Sequence, residues 1–332
     1  MKEKSHGNTH STESFRLRCL RRPLIKINLD EKCRAWGNVT MSFLKGRFVA
    51  LLGILASTTF HPISTWSATI RDDVPDSSYL ALGASSAYAA VGLFVNSWGY
   101  TGCGTLIAPD WVLTAAHMLT AASSGTFTID GTSYASDALI TDPGWTGNAL
   151  NGNDFGLVHL SSSVSSVAPV MLYTGSAEFG QVATYVGYGY TGTGLTGWKT
   201  LDNQKRGFQN VIDGDFGKPS LLLGSDFDNP NSTANNVWGD ATPLPLEGCA
   251  APGDSGGGLF ISVDSQTYLA GVISFVASTG GANNSVYGNL TGAGRVSAVM
   301  PWITGTVPEP STPMLLAGTG LVWFVGRRCR NK

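Results

Sequence analysis

Charge is scarce in this chain. Of 332 residues, 13% are Asp, Glu, Lys or Arg, against roughly 25% in an ordinary soluble domain. What charge there is lies unevenly. Residues 1–47 hold eleven Lys or Arg and four Asp or Glu, whereas residues 69–306 hold six and eighteen. An acidic body offers no attractive field to a phosphate backbone or an anionic bilayer, which excludes nucleic acid and anionic membranes as its partners. Cysteine is scarce too. Cys19, Cys33 and Cys329 lie in segments expected to be absent from the mature protein, so Cys103 and Cys249 allow one bridge at most. A disulfide-dense scaffold is thereby excluded. His6, His10 and His61 fall in the leader, which leaves His117 and His159 for the body. No apolar run reaches the roughly 20 residues of a spanning helix. No long stretch of 3.6-residue period occurs before about Ser297.

Short apolar and β-branched runs are what the body does contain: 88–95, 104–107, 112–115, 126–129, 156–160, 182–186, 207–212, 258–261, 268–276 and 295–299. Gly, Asn, Asp, Pro and Ser interrupt them at close intervals. The pattern predicts an all-β sandwich or barrel, with a short helix over 297–303.

Two segments carry chemistry. Trp111-Val112-Leu113-Thr114-Ala115-Ala116-His117 is a buried strand running into a turn that ends on an imidazole. Gly253-Asp254-Ser255-Gly256-Gly257-Gly258 sets a hydroxyl among glycines, where a substrate carbonyl can come close to backbone N–H groups. A serine hydroxyl needs a base to become a nucleophile and donors for the oxyanion it creates. His159 alternates along a strand toward solvent, so His117 is the base. The imidazole needs an orienting carboxylate. Asp154, at a loop–strand junction in Asn153-Asp154-Phe155-Gly156-Leu157, is the candidate. The alternative, Asp142 in Asp142-Pro143-Gly144, reads as a turn residue.

These motifs resemble the chymotrypsin/trypsin family of serine endopeptidases over roughly residues 85–305. The resemblance implies two six-stranded antiparallel β-barrels with the site between them. It implies a triad of His117, Asp154 and Ser255, and an oxyanion hole from the N–H groups of Gly253 and Ser255. It implies protein or peptide substrates, with no cofactor and no metal. It also assigns a substrate pocket: Cys249 at its base, where trypsin has Asp, the pairing strand Ser274-Phe275-Val276, and Ser285. A neutral base does not offset the desolvation of Arg or Lys, so cleavage after small or medium apolar residues is expected. Asp254 stands where relatives pair a carboxylate with the amine freed by zymogen cleavage. Leu80-Ala81-Leu82-Gly83 is the nearest, weak, counterpart of the segment that supplies that amine. Cys103 matches a family cysteine whose usual partner place is here Met118, so the two body thiols are expected to be free.

The ends read separately. Residues 41–68 resemble a secretory signal peptide, with Lys45 and Arg47 before the apolar run 48–56 and small residues near Ala68. Residues 1–40 form a basic extension upstream, with Met41 the expected true start. Residues 69–306 are the protease domain. Residues 307–332, with Val307-Pro308-Glu309-Pro310, an apolar stretch and Arg327, Arg328, Arg330 and Lys332, resemble the PEP-CTERM sorting tail of Gram-negative bacteria. That tail implies export to the cell surface or exterior, an exosortase-type sorting enzyme as partner, and transient inner-membrane contact.

Three further patterns are set aside. Gly187-Tyr188-Gly189-Tyr190-Thr191-Gly192 satisfies a dinucleotide fingerprint, but no helix follows. Asp154-Phe155-Gly156 lacks the other kinase motifs. Asp226-Phe227-Asp228-Asn229 lacks the terminal Glu of a calcium loop and reads as solvated. An α/β-hydrolase esterase fails on the order of its groups. A catalytically silent surface or matrix binding protein on the same fold is the rival reading, disfavoured because all three triad residues are present.

Overall fold

The computed structural model describes residues 68–308 except Ala282. In chain order the elements are β1 (Ala68–Ile70), α1 (Asp76–Gly83), β2 (Val91–Asn96), β3 (Thr101–Ala108), β4 (Trp111–Thr114), α2 (Ala116–Leu119), β5 (Gly125–Ile129), β6 (Thr132–Thr141) and β7 (Gly156–Leu160). They continue with β8 (Met171–Leu172), β9 (Val182–Gly187), β10 (Tyr190–Thr193), β11 (Gly197–Leu201), β12 (Arg206–Val211), β13 (Leu222–Asp226), β14 (Gly248–Cys249), β15 (Gly258–Val263), β16 (Gln266–Ser278), β17 (Asn289–Arg295) and α3 (Val296–Thr306).

Strands β2-β3-β4-β7-β6-β5 close into a barrel. Phe94, Leu106, Leu113, Phe127 and Leu157 fill it, each fully buried. The β5–β6 hairpin turns on Asp130-Gly131, both at positive φ, a combination that Asp-Gly reaches at low cost. The second half follows the six-strand path β12-β9-β15-β16-β17-β13. Its interior holds Tyr185 stacked on Phe208 at 4.8 Å, with Leu259 and Ile273. No ladder joins β12 to β13. Instead Ser225 Oγ donates to the Val211 carbonyl at 2.5 Å and Asn210 Nδ2 to the Asp226 carbonyl, while just past β12 the Asp213 and Gly214 N–H groups donate to the Gly224 carbonyl at 3.0 and 3.1 Å. The all-β reading with barrels and a terminal helix therefore holds, with one closed barrel and one half-barrel whose seam is bridged by side chains and isolated backbone bonds.

One local expectation fails at α3. Residues 295–299 are not a strand: β17 ends at Arg295, and Val296, Val299 and Ile303 are buried at helical spacing in α3. Burial of that face outweighs the strand preference of valine. The segment 80–83 lies in α1. There Gly83 lets the helix sit on β12, since a Cβ would come within 2.7 Å of the Arg206 backbone.

Behind the second barrel, burial raises the carboxyls of Asp213 to about 7, Asp228 to about 6 and Glu247 to about 8. Such groups keep their protons in the folded chain while the unfolded chain has released them. Stability is therefore greatest below about pH 4 for these groups and falls as pH rises through about 6 to 8. The midpoint of thermal unfolding should drop between pH 5 and 8. Glu247→Gln should flatten that drop, and an unchanged slope would refute the assignment.

Candidate active site

His117 lies in α2, the single helical turn after β4, and 34% of its side chain is exposed. Asp154 immediately precedes the Phe155-Gly156 start of β7 and is fully buried. β4 and β7 pair directly, Thr114 opposite Gly156, which brings the two groups together across 37 residues of chain. His117 Nδ1 lies 2.7 Å from Asp154 Oδ2, and the His117 backbone N–H donates to Asp154 Oδ1 at 2.9 Å. Ser274 Oγ donates to the same Oδ2 at 2.5 Å. The side chain thus has three hydrogen-bond partners that offset its burial. Asp142 instead accepts the Gly144 N–H at 2.6 Å and caps its own turn. His159 faces Asp137 on the first barrel's outer side, at 2.5 Å.

Ser255 sits in the turn between β14 and β15, half-buried in the cleft wall beside Ser274, Phe275 and Val276. His117 borders the same three residues from the other side, and Gly253 as well. The structure draws no hydrogen bond from the Ser255 hydroxyl to His117. Nucleophile–base contacts are often loose in unliganded sites and tighten when substrate binds.

Around Ser255 the loop N–H groups divide cleanly. Those of Asp254, Gly256 and Gly257 donate to Ala251, Ile273 and Asp254 carbonyls at 2.8–3.0 Å. Those of Gly253 and Ser255 have no acceptor among the described residues. Both residues are half-buried at the cleft. The Pro252 carbonyl is turned away by the Tyr190 N–H at 2.7 Å. Asp254 is fully buried and points inward, accepting from the Gly189 N–H at 2.8 Å and the Ala251 N–H at 2.9 Å. Burial pushes its carboxyl up to about 7. The glycines of the apparent dinucleotide fingerprint make room for it: a Cβ on Gly187 would lie 2.2 Å from Asp254 Oδ1, and one on Gly189 2.5 Å from Asp254 N. The fingerprint is not the expected loop: Gly187 ends β9 and Tyr190, Thr191 and Gly192 lie in β10, and its glycines serve a carboxylate rather than a phosphate.

The pocket beside Ser255 is about 140 Å³ and is lined by Ala250, Ala251, Pro252, Val276, Asn283 and Ser285 among others. No carboxylate lines it. Cys249 lies behind this wall, fully buried, with Thr291 Oγ1 3.4 Å from its sulfur. Cys103 and Cys249 are both free. At the neighbouring place it is Gly102 that faces Met118, where a Cβ would meet the Met118 side chain at 2.6 Å. Cys103 points to the opposite side of the strand, because a step of one residue reverses the face.

A closed β-barrel against a half-barrel, with a buried carboxylate–imidazole pair facing a serine loop that has two open N–H groups, defines a chymotrypsin-type serine peptidase fold. Residues 83–303 match the family model for Trypsin, and the chain belongs to that family. It is 28% identical over 263 residues to chymotrypsin-like elastase family member 1 of Canis lupus familiaris, spanning 71% of this chain and 95% of that one. The identity to the Macaca fascicularis protein of the same description is 31% over 234 residues, 64% of this chain and 80% of that one. A calcium-dependent serine proteinase of Mesocricetus auratus is 27% identical over 241 residues, 63% of this chain and 32% of that one. The chain is a serine endopeptidase, a hydrolase acting on protein substrates.

Residues 306–330 match the PEP-CTERM protein-sorting motif. The tail implies exosortase recognition and export to the surface or exterior of a Gram-negative cell. Its apolar stretch, the signal-like 41–67 and the basic extension 1–40 lie outside the described residues. Among those described, no helix is long and apolar enough to cross a membrane.

Sequence reasoning placed Ser274 only in the substrate-pairing strand and missed its bond to Asp154. A serine 120 residues away carries no local signal of such a contact.

Proposed function

We propose that this protein is an exported endopeptidase that cleaves through an acyl-enzyme, with Ser255 as nucleophile, His117 as base and Asp154 as its orienting carboxylate. Ser255 Oγ attacks the peptide carbonyl as His117 Nε2 takes its proton. The oxyanion is held by the N–H groups of Gly253 and Ser255. His117 then protonates the leaving amine, and water repeats the sequence on the ester. Asp154, bonded to Nδ1, fixes the proton there and leaves Nε2 free to accept. The observation that carries this reading is the 2.7 Å His117–Asp154 contact beside the two open N–H groups of the Ser255 loop. A fluorophosphonate probe should label the wild-type protein and not Ser255→Ala, and equal labelling of both would end it.

The pocket supports a preference for small or medium apolar residues before the scissile bond. Its volume is comparable with that of cavities that hold one small ring. Ser274, Phe275, Val276 and Ser285 of its lining present no charge to a basic side chain, and Cys249 behind them adds none. A peptide-library profile should favour Ala, Val or Leu at that place. One dominated by Arg or Lys would overturn the assignment.

Maturation just before Ala68 is supported by β1. All three of its residues are buried, with Thr69 opposite Cys249 and Ala68 alongside Thr191. Continued one step, that register aims the strand's N-terminal end at Ala251 and Tyr190, next to the donors that bind Asp254. Ala68 thus belongs to the protease body rather than to the leader. An amine there would meet the carboxylate that relatives use for activation. N-terminal sequencing of the exported form should begin at Ala68. A start beyond Ile70 would remove β1 and refute this. The tail is proposed to hold the protein at the inner membrane until the sorting enzyme acts.

A further inference from the structure

Among the described residues, Cys103 is the only one of the first barrel whose polar groups reach the carbonyls of both residues that carry the open N–H groups. Its backbone N–H donates to the Ser255 carbonyl at 2.8 Å. Its thiol donates to the Gly253 carbonyl at 3.2 Å and accepts the Tyr188 N–H at 3.1 Å. Its own carbonyl accepts Thr114 Oγ1 at 2.6 Å, which ties the arrangement to β4, the strand that leads to His117. Gly256 packs against the same carbonyl so closely that a Cβ would lie 2.1 Å from it. The thiol is fully buried, and burial raises its pKa well above the ordinary range, so the proton it donates stays in place.

We propose that Cys103 is a positioning residue for the oxyanion hole. A peptide plane fixes its carbonyl and the following N–H together. Gly253, at φ +90, has no side chain to limit its rotation. Pinning the carbonyls on either side, Pro252 by Tyr190 and Gly253 by the thiol, removes that freedom and holds the Gly253 N–H in the cleft. On the Ser255 side, the Gly257 N–H holds the Asp254 carbonyl, whose plane carries the second donor, and the Cys103 N–H holds the plane that follows it. An S–H···O bond is weak, but its effect is on an angle that the transition state needs.

The inference rests on the proposed Ser255 chemistry, and the test separates the two. Kinetics on a peptide substrate are compared for wild type, Ser255→Ala, Cys103→Ala, Cys103→Val and Cys103→Ser, together with the inhibition constant of a peptidyl trifluoromethyl ketone. Ser255→Ala must be inactive; if it is not, the parent reading fails. Losing a whole oxyanion donor costs about 10²–10³-fold in kcat. A misdirected donor should cost less, on the order of tenfold in kcat by the same reasoning, with KM within about twofold. The ketone, which mimics the tetrahedral state, should weaken in the same proportion as kcat falls. Cys103→Ser, whose hydroxyl can make both bonds, should restore most of it. Valine is included because it nearly fills the space of the thiol without donating, should alanine not fold. If a folded alanine or valine variant keeps kcat within twofold of wild type, the positioning role is wrong. It is equally wrong if kcat falls while ketone affinity holds, or if serine fails to rescue.

Discussion

Replacing Ser255 with alanine is expected to lower kcat by about 10⁶-fold, the cost of removing the nucleophile from a triad that acts as a unit. The fold gives no reason for the variant to unfold. Ser255 contributes to the loop through its backbone, with its carbonyl bound by the Cys103 N–H, while its hydroxyl makes no hydrogen bond to the described residues. Peptide affinity should survive, because the pocket walls, the pairing strand Ser274–Val276 and the Gly253 N–H are untouched. Residual turnover of about 10³–10⁴ over water would come from the oxyanion hole and binding alone. Steady-state rates on a cleaved peptide, with thermal unfolding as control, test this. A variant retaining more than about one hundredth of wild-type kcat would place the nucleophile elsewhere.

Asp154→Asn should lower kcat by about 10⁴-fold with little change in KM. The geometry dictates the direction. The His117 backbone N–H occupies Oδ1 and requires an acceptor there, so an asparagine must keep its carbonyl oxygen on that side. Its NH₂ then faces His117 Nδ1 and Ser274 Oγ. Nδ1 is forced to accept, the ring proton moves to Nε2, and the nitrogen turned to Ser255 can no longer take a proton. Ser274 can accept from the amide, so the core need not open. Fluorophosphonate labelling should slow in parallel with peptide turnover. If Asp154→Asn loses less than tenfold, the carboxylate is structural and the base is oriented by something else.

Several parts of this site were legible without coordinates. His117 and Ser255 sit in motifs whose constraints are local: an apolar strand ending in a turn, and a hydroxyl among glycines. Asp154 was legible because a carboxylate at a loop–strand junction can be buried and still find backbone donors, and because Asp before apolar residues matches the family pattern. Asp142 was rejected on its proline, and the structure shows the turn that proline announced. Most of the short apolar runs are strands, but β13 and β17 were missed although every residue in both is buried, because glycine and polar residues break their apolar pattern. β6 was missed as well: its pattern is mostly exposed and half-exposed.

The chain's order of residues by itself determined the fold class, the pair of motifs, and a C-terminal tail distinct from the body. Only the tertiary structure decided which distant groups meet. It put Ser274 on Asp154, Gly187 and Gly189 around Asp254, and Cys103 rather than Gly102 on the serine loop. The physical reason is register. A strand presents alternate residues to opposite faces, so one step along it exchanges a contact with Met118 for one with Gly253. That step is set by ladders between segments far apart in the chain, which local composition does not record.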